Sequence, residues 1–215
     1  MSWHKGGRGR RGYHHGNLRE ALINAALDLI AQKGPAGVTF AEAARRAGVS
    51  TAAPYRHFRD RDALIADVAK QGFEKFAGAL EAAWDEGRPA AATAFERLGR
   101  AYLAFAREEP AYFAAMFESG LPLDANPELQ AAADRAFAVL RSASETITAA
   151  ASDGQKPPAL MVALHVWAMT HGIAALFGRA DEARRKIPMA PEELLEAGVL
   201  IYLQGLGLDP GRKTK

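Results

Sequence analysis

The stretch that most restricts the fold is Thr39–Phe58, TFAEAARRAGVSTAAPYRHF. Thr39 followed three residues later by Glu42 is a capping-box pattern, so a helix begins there. Ala43, Ala44 and Ala47 are small enough to let another helix approach. Gly48 ends the helix, because a residue without Cβ takes the left-handed C-terminal position cheaply. Val49 is expected as a buried pin. Ser50 then caps a second helix. Pro54 falls in its first turn, where its missing N–H is expected to cost no hydrogen bond. Tyr55, Arg56 and His57 follow, and Phe58 closes the unit into a core.

The rest of the chain reads as helix throughout. Alanine is abundant and β-branched residues are sparse, a composition that favours helices, and 49% hydrophobic residues suffice for a core. Asn17 to Lys33 forms a first helix with Leu22, Ala25, Ala26, Leu29 and Ile30 on one face; Gly34-Pro35 ends it. Asp60 caps a long helix to about Trp84, in which Leu64, Ile65, Val68 and Phe76 face the core. Pro89 marks a boundary. Amphipathic helices follow at Ala90–Arg107, Ala111–Glu118, Pro127–Ala151, Pro158–Phe177 and Pro191–Gly205. No strand pattern, repeat or glycine-rich phosphate loop interrupts them. The expected fold is all-α, with an N-terminal three-helix helix-turn-helix domain (13–60), a connecting helix (61–84) and a larger helical bundle (89–207). A basic arm (1–12) precedes these and a short tail (208–215) follows.

Charge is unevenly spread. Residues 1–61 carry eleven Lys/Arg against four Asp/Glu, a balance of +7 that leaves −5 for the remainder, within a net +2. That is the pattern of a chain whose first third meets phosphate and whose remainder must not. A solvated tail accounts for Arg8, Arg10 and Arg11 but not for the helix-turn-helix beside them. The arm suits phosphates or a minor groove. His14-His15 point to different sides of a helix and lack a third ligand nearby, so helix entry or phosphate contact describes them better than metal binding. The chain has no cysteine, which excludes disulfides and thiolate metal sites. The basic N-terminus has no apolar run after it and is not a secretory signal.

A helix-turn-helix presents its second helix to the major groove of double-stranded DNA. Here the context makes the reading specific. Ile23–Ile30, Gly34, Val38-Thr39, Ala47–Ser50, Pro54–Phe58 and Arg61–Leu64 keep the order and spacing of one known domain. Residues from about Tyr13 to Phe73 resemble the DNA-binding domain of the tetracycline-repressor-like (TetR) family of bacterial regulators. The resemblance implies base contacts from Thr51, Ala52 and Tyr55, next to Ser50, with the Ala52 methyl offered to thymine. It implies phosphate contacts from Thr39, Arg56, His57 and Arg61. It also implies a homodimer on a palindromic operator, repression, and release by a small molecule.

Ala159–Phe177 is nineteen residues without a charge, long enough to span a bilayer. It contains His165, Thr170, His171 and Gly172 and is rich in Ala. A buried helix packed on both sides is the better account, with no membrane partner. Val166-Trp167-Ala168-Met169-Thr170-His171-Gly172 resembles the Trp-…-His-Gly motif of a C-terminal subgroup of the same family, which implies that the last two long helices pair across a dimer. The second carries Leu194, Gly198, Ile201 and Gly205 along one face. Tyr102, Phe105, Phe113, Met116, Phe117, Phe137, Met169 and Phe177, with His165 or His171 as a polar handle, supply either a pocket for an apolar effector or simply core. No Ser/His/Asp order, metal-ligand spacing or nucleophile elbow stands out. The expected function is a cytoplasmic, ligand-responsive DNA-binding regulator without a cofactor. An architectural DNA-binding protein is the alternative, and an enzyme the remotest.

Overall fold

The computed structural model describes residues 18–149, 156–178 and 188–207, and among these the chain is all helix and turn. Eight α-helices run in order: α1 Leu18–Lys33, α2 Phe40–Arg46, α3 Arg61–Trp84, α4 Ala91–Glu108, α5 Pro110–Phe117, α6 Pro127–Ala149, α7 Ala159–Leu176 and α8 Pro191–Gly205. Arg8, Arg10, Arg11, His14 and His15 lie outside the described residues.

Local chemistry sets the first elements. α1 buries Leu22, Ile23, Ala25, Ala26, Leu29 and Ile30 and stops at Gly34, whose φ is +75°. Thr39 caps α2, its Oγ1 accepting from the Glu42 N–H at 3.3 Å. The reciprocal half of the box takes another form. The Glu42 carboxylate accepts from the Thr39 hydroxyl (2.8 Å) and from Lys33 Nζ (2.6 Å). α2 ends in a Schellman motif: Gly48 at φ +71° donates to Arg45 O at 3.2 Å, and Val49 donates to Ala44 O at 2.9 Å. Val49 is half-buried, not a fully buried pin.

The element after Ser50 differs from the expected α-helix. Thr51 to Ala53 form turns, and Pro54–Arg56 is a single 3₁₀ turn. Pro54 has no N–H to give Ser50 O the bond that would begin an α-helix. The Ala53 N–H closes on Ser50 O instead, at 3.0 Å, one residue short. The Ser50 side chain makes no capping bond among the described residues. Phe58 is buried behind the turn.

α3 ties the front of the molecule to the rest. Asp60 caps it, its side chain accepting from the Ala63 N–H at 2.8 Å. Its 24 residues span about 36 Å at the α-helical rise. One flank packs on α1, and the others on α4, α5 and α6. Ion pairs bind this rod laterally: Arg19–Asp67 (2.6 Å), Lys70–Glu128 (2.5 Å) and Lys75–Glu109 (3.0 Å). Gly72 permits the close approach of α5, since a Cβ there would sit 2.8 Å from Met116 Sδ and 3.2 Å from Tyr112 Cβ.

α7 packs on α4, α6 and α8. Expected to be covered on both sides, it has only 33% of its residues buried in this chain. Leu160, Leu164, Trp167 and Leu176 remain exposed, as do Leu200 and Ile201 of α8. α8 is held on α4 by Arg100–Glu196 (2.5 Å) and Arg107–Glu192 (2.8 Å).

Candidate nucleic-acid interface and apolar cavity

The turn after α2 is mounted on a packed base and presents its side chains outward. Ser50, Thr51, Ala52, Arg56 and His57 are exposed, and Tyr55 is 64% exposed. Its ring is nevertheless fixed: Tyr55 meets Phe40 edge-on at 4.9 Å and 81°. Phe40 follows the exposed Thr39, so this contact sets the start of α2 beside the turn. Pro54 is buried beneath.

Most cations of this region are already engaged. Lys33 pairs with Glu42 (2.6 Å), Arg46 with Asp28 (3.3 Å) and Arg59 with Asp60 (2.7 Å). Arg19 pairs with Asp67 and lies 5.5 Å above the Phe58 ring. Arg61 is engaged most completely. Its Nε donates to Val38 O (2.9 Å), Nη2 to Pro35 O (2.6 Å) and Nη1 to Asp62 (2.6 Å). The resemblance implied a phosphate contact for this side chain; here it clasps the loop between α1 and α2. Arg45 and Arg56, both exposed, make no ion pair among the described residues. Arg45 was not singled out in the sequence. Its signal, an unpaired cation in the last turn of α2, needs the partners of its neighbours to be known.

Behind this head lies an apolar cavity of about 290 Å³. α3 contributes Phe73, Phe76 and Leu80, and α4 contributes Phe95, Leu98, Gly99 and Tyr102. Met116 and Phe117 of α5, Phe137 and Leu140 of α6, and Leu164, Val166, Trp167 and Thr170 of α7 complete most of the wall. Four residues of the expected pocket, Tyr102, Met116, Phe117 and Phe137, are among them. Phe105 packs against Phe76 at 4.9 Å, and Phe113 stacks on His171 at 5.5 Å and 21°. His165 faces α8, with its Nδ1 2.9 Å from the Tyr202 hydroxyl. Met169 lies beside Gly198. These five expected pocket residues, His171 included, stand outside the wall because they serve helix seams, and Phe177, half-buried against the core, stands outside it too. The α3 aromatics and Trp167 were not anticipated, although Trp167 belongs to the Trp-…-His-Gly stretch.

One partly buried polar chain runs along the cavity. Trp167 Nε1 donates to the Tyr102 hydroxyl at 3.3 Å, and that hydroxyl lies 2.9 Å from His171 Nδ1. Trp can only donate, so the Tyr102 hydroxyl accepts from Trp167, and all three groups are satisfied when that hydroxyl donates its O–H to the unprotonated Nδ1 of a neutral His171. Burial pushes the Tyr102 phenol up, out of its ordinary range, against the weaker opposing effect of the Trp167 bond. Burial likewise lowers His171, with Glu118 opposing. Both groups are thereby held neutral.

A second cavity of about 370 Å³ lies between α4, α7 and α8 and shares Phe95, Gly99, Val166 and Thr170 with the first. Among the described residues, no group of three or more His, Cys, Asp or Glu could hold a metal ion.

Comparison with known proteins agrees with this geometry. Residues 22–68 match the model for bacterial regulatory proteins of the tetR family. Residues 95–200 match the model for the tetracyclin repressor-like C-terminal domain. No curated protein sequence matches the chain. A solved protein of unknown function from Rhodococcus sp. RHA1 is 31% identical, with a TM-score of 0.74 over 91% of this chain and 98% of that one. The TetR family transcriptional regulator PfmR from Thermus thermophilus is 21% identical, with a TM-score of 0.65 over 85% and 97%. A TetR-family regulator from Bordetella parapertussis is 18% identical, with a TM-score of 0.63 over 89% and 95%. With both halves matched in order and the solved folds superposing over nearly the whole length, the chain belongs to the TetR family, and is a sequence-specific DNA-binding transcriptional regulator, not an enzyme.

Proposed function

We propose that this regulator is a cytoplasmic repressor that grips a palindromic operator as a homodimer and lets go when an apolar molecule enters the cavity. The observation that carries the DNA side is the exposed Thr51-Ala52-Tyr55 ridge on a buried base. Thr51 and Tyr55 offer hydroxyls to base edges, and Ala52 a methyl to thymine. Arg45, Arg56 and His57 take phosphates, Thr39 and Ser50 stand at the margins, and Arg8, Arg10 and Arg11 reach along the backbone. Arg61 acts as a clamp that positions the head.

One head offers too few base contacts for a specific site. Two heads about one DNA turn apart read a palindrome. The open faces of α7 and α8 fit that need. Leu160, Leu164 and Ala168 recur at a spacing of four residues, and Leu200 and Ile201 lie exposed on the neighbouring helix. Covered by a second copy, these apolar side chains leave water.

Release follows from α3. Its first residue, Arg61, holds the head together, and further along Phe73, Phe76 and Leu80 line the cavity. A ligand that prefers one setting of α3 shifts the population of head spacings only by its difference in affinity between the two settings. The test is selection of bound duplexes from a random pool, followed by titration of a palindrome, its half-site and unrelated DNA. The palindrome should bind orders of magnitude more tightly than unrelated DNA, and Tyr55→Ala should change the selected sequence. Equal weakening on every duplex by Tyr55→Ala would remove Tyr55 from the reading set.

A further inference from the structure

We infer that the effector is an uncharged, mostly hydrocarbon or aromatic molecule, and that this cavity rejects carboxylates and other anions. The inference rests on the ligand-responsive reading above. Among the described residues no Lys, Arg or His lines the cavity. The wall's donors are already spent: Trp167 on Tyr102, Tyr102 on His171, and Thr170 on its own helix at Val166 O, 2.8 Å away. An anion entering here would lose its water and find no N–H or O–H to replace it, which is the costly case for a buried charge. A cation fares little better. The one carboxylate among the described wall residues, Asp134, is exposed, so its attraction is screened by solvent. What remains is faces and edges of Phe, Leu and Trp, which suit an uncharged ring system. At the roughly 30 Å³ that a water molecule occupies in the liquid, the cavity has room for on the order of ten non-hydrogen atoms.

The experiment uses the full-length protein with three probes on one scaffold: naphthalene, 2-naphthoate and 2-naphthyltrimethylammonium. Binding is read as ligand-dependent elevation of the melting temperature, and in parallel as release of the selected operator. Naphthalene should bind at least tenfold more tightly than either charged probe. Ala133→Lys places an ammonium at the half-buried rim on a side chain able to snorkel, and should raise 2-naphthoate affinity at least tenfold. Naphthoate binding to the unmodified protein as well as naphthalene overturns the inference, as does a preference for the trimethylammonium probe. Either result leaves a ligand-responsive regulator standing. If no probe binds, or if Ala133→Lys leaves the preference unchanged, the cavity is not the effector site, and the ligand half of the proposed function falls with it.

Discussion

Arg61→Ala separates two roles for one side chain. As a clamp, Arg61 gives two charge-assisted bonds to main-chain carbonyls, Val38 O and Pro35 O, in the loop that leads into α2. A hydrogen bond to a charged group contributes about 1.5–3 kcal/mol when buried. Here the side chain is 33% exposed, so water can replace part of each bond, and the Asp62 pair at the surface adds little. The two carbonyl bonds together then amount to about 2 kcal/mol. For a chain of this size that is a fall in melting temperature of roughly 4–8 °C. The assay has two arms: thermal melts followed by circular dichroism, and operator binding across a salt series. A clamp predicts the lower melting temperature with the slope of log affinity against log salt unchanged. A phosphate contact predicts native stability and a slope smaller by about one unit. The second outcome would mean that the guanidinium leaves the carbonyls when DNA arrives, and would refute the clamp.

Three further outcomes are expected. Ile201→Lys, at a position 70% exposed in the single chain, should keep the helical content of the subunit, lower its melting temperature because a partner no longer favours the folded state, and yield monomers in light scattering with weak operator binding; an undiminished dimer would move the interface elsewhere. Gly48→Ala forces a side chain to adopt φ +71° and should destabilise by about 1 kcal/mol, measured by urea unfolding; no change would mean that the Schellman turn had relaxed. Burial lowers the His171 pKa below its ordinary 6.5, so the unfolded chain takes up the proton first. Stability should therefore fall as the pH drops below about 6.5, the loss levelling off once the folded form also protonates, and His171→Gln should flatten that part of a melting-temperature profile. Identical acid profiles for both proteins would sink the assignment.

The sequence by itself determined what depends on near neighbours. The Thr39 cap, the Gly48 stop and the Asp60 cap are interactions within three or four residues, and each stands where the residues demand it. The later helices begin within about two residues of the limits set by proline, glycine and periodicity, and, apart from α6, whose expected limit lies outside the described residues, they end so too. The 3₁₀ form of the turn was also a local matter: a proline four residues after Ser50 removes the first α-helical bond. Tertiary structure alone decided the rest. Arg61 meets Val38 and Pro35, 23 and 26 residues earlier; Tyr102 meets Trp167, 65 residues later; and the cavity is walled by five helices. Such pairings follow from how helices cross, which no run of neighbouring residues specifies. For the same reason an apolar stretch such as Ala159–Leu176 shows that it must be covered but not by what. Packing within one chain covers one side, and its open side is what makes a second copy the physical expectation.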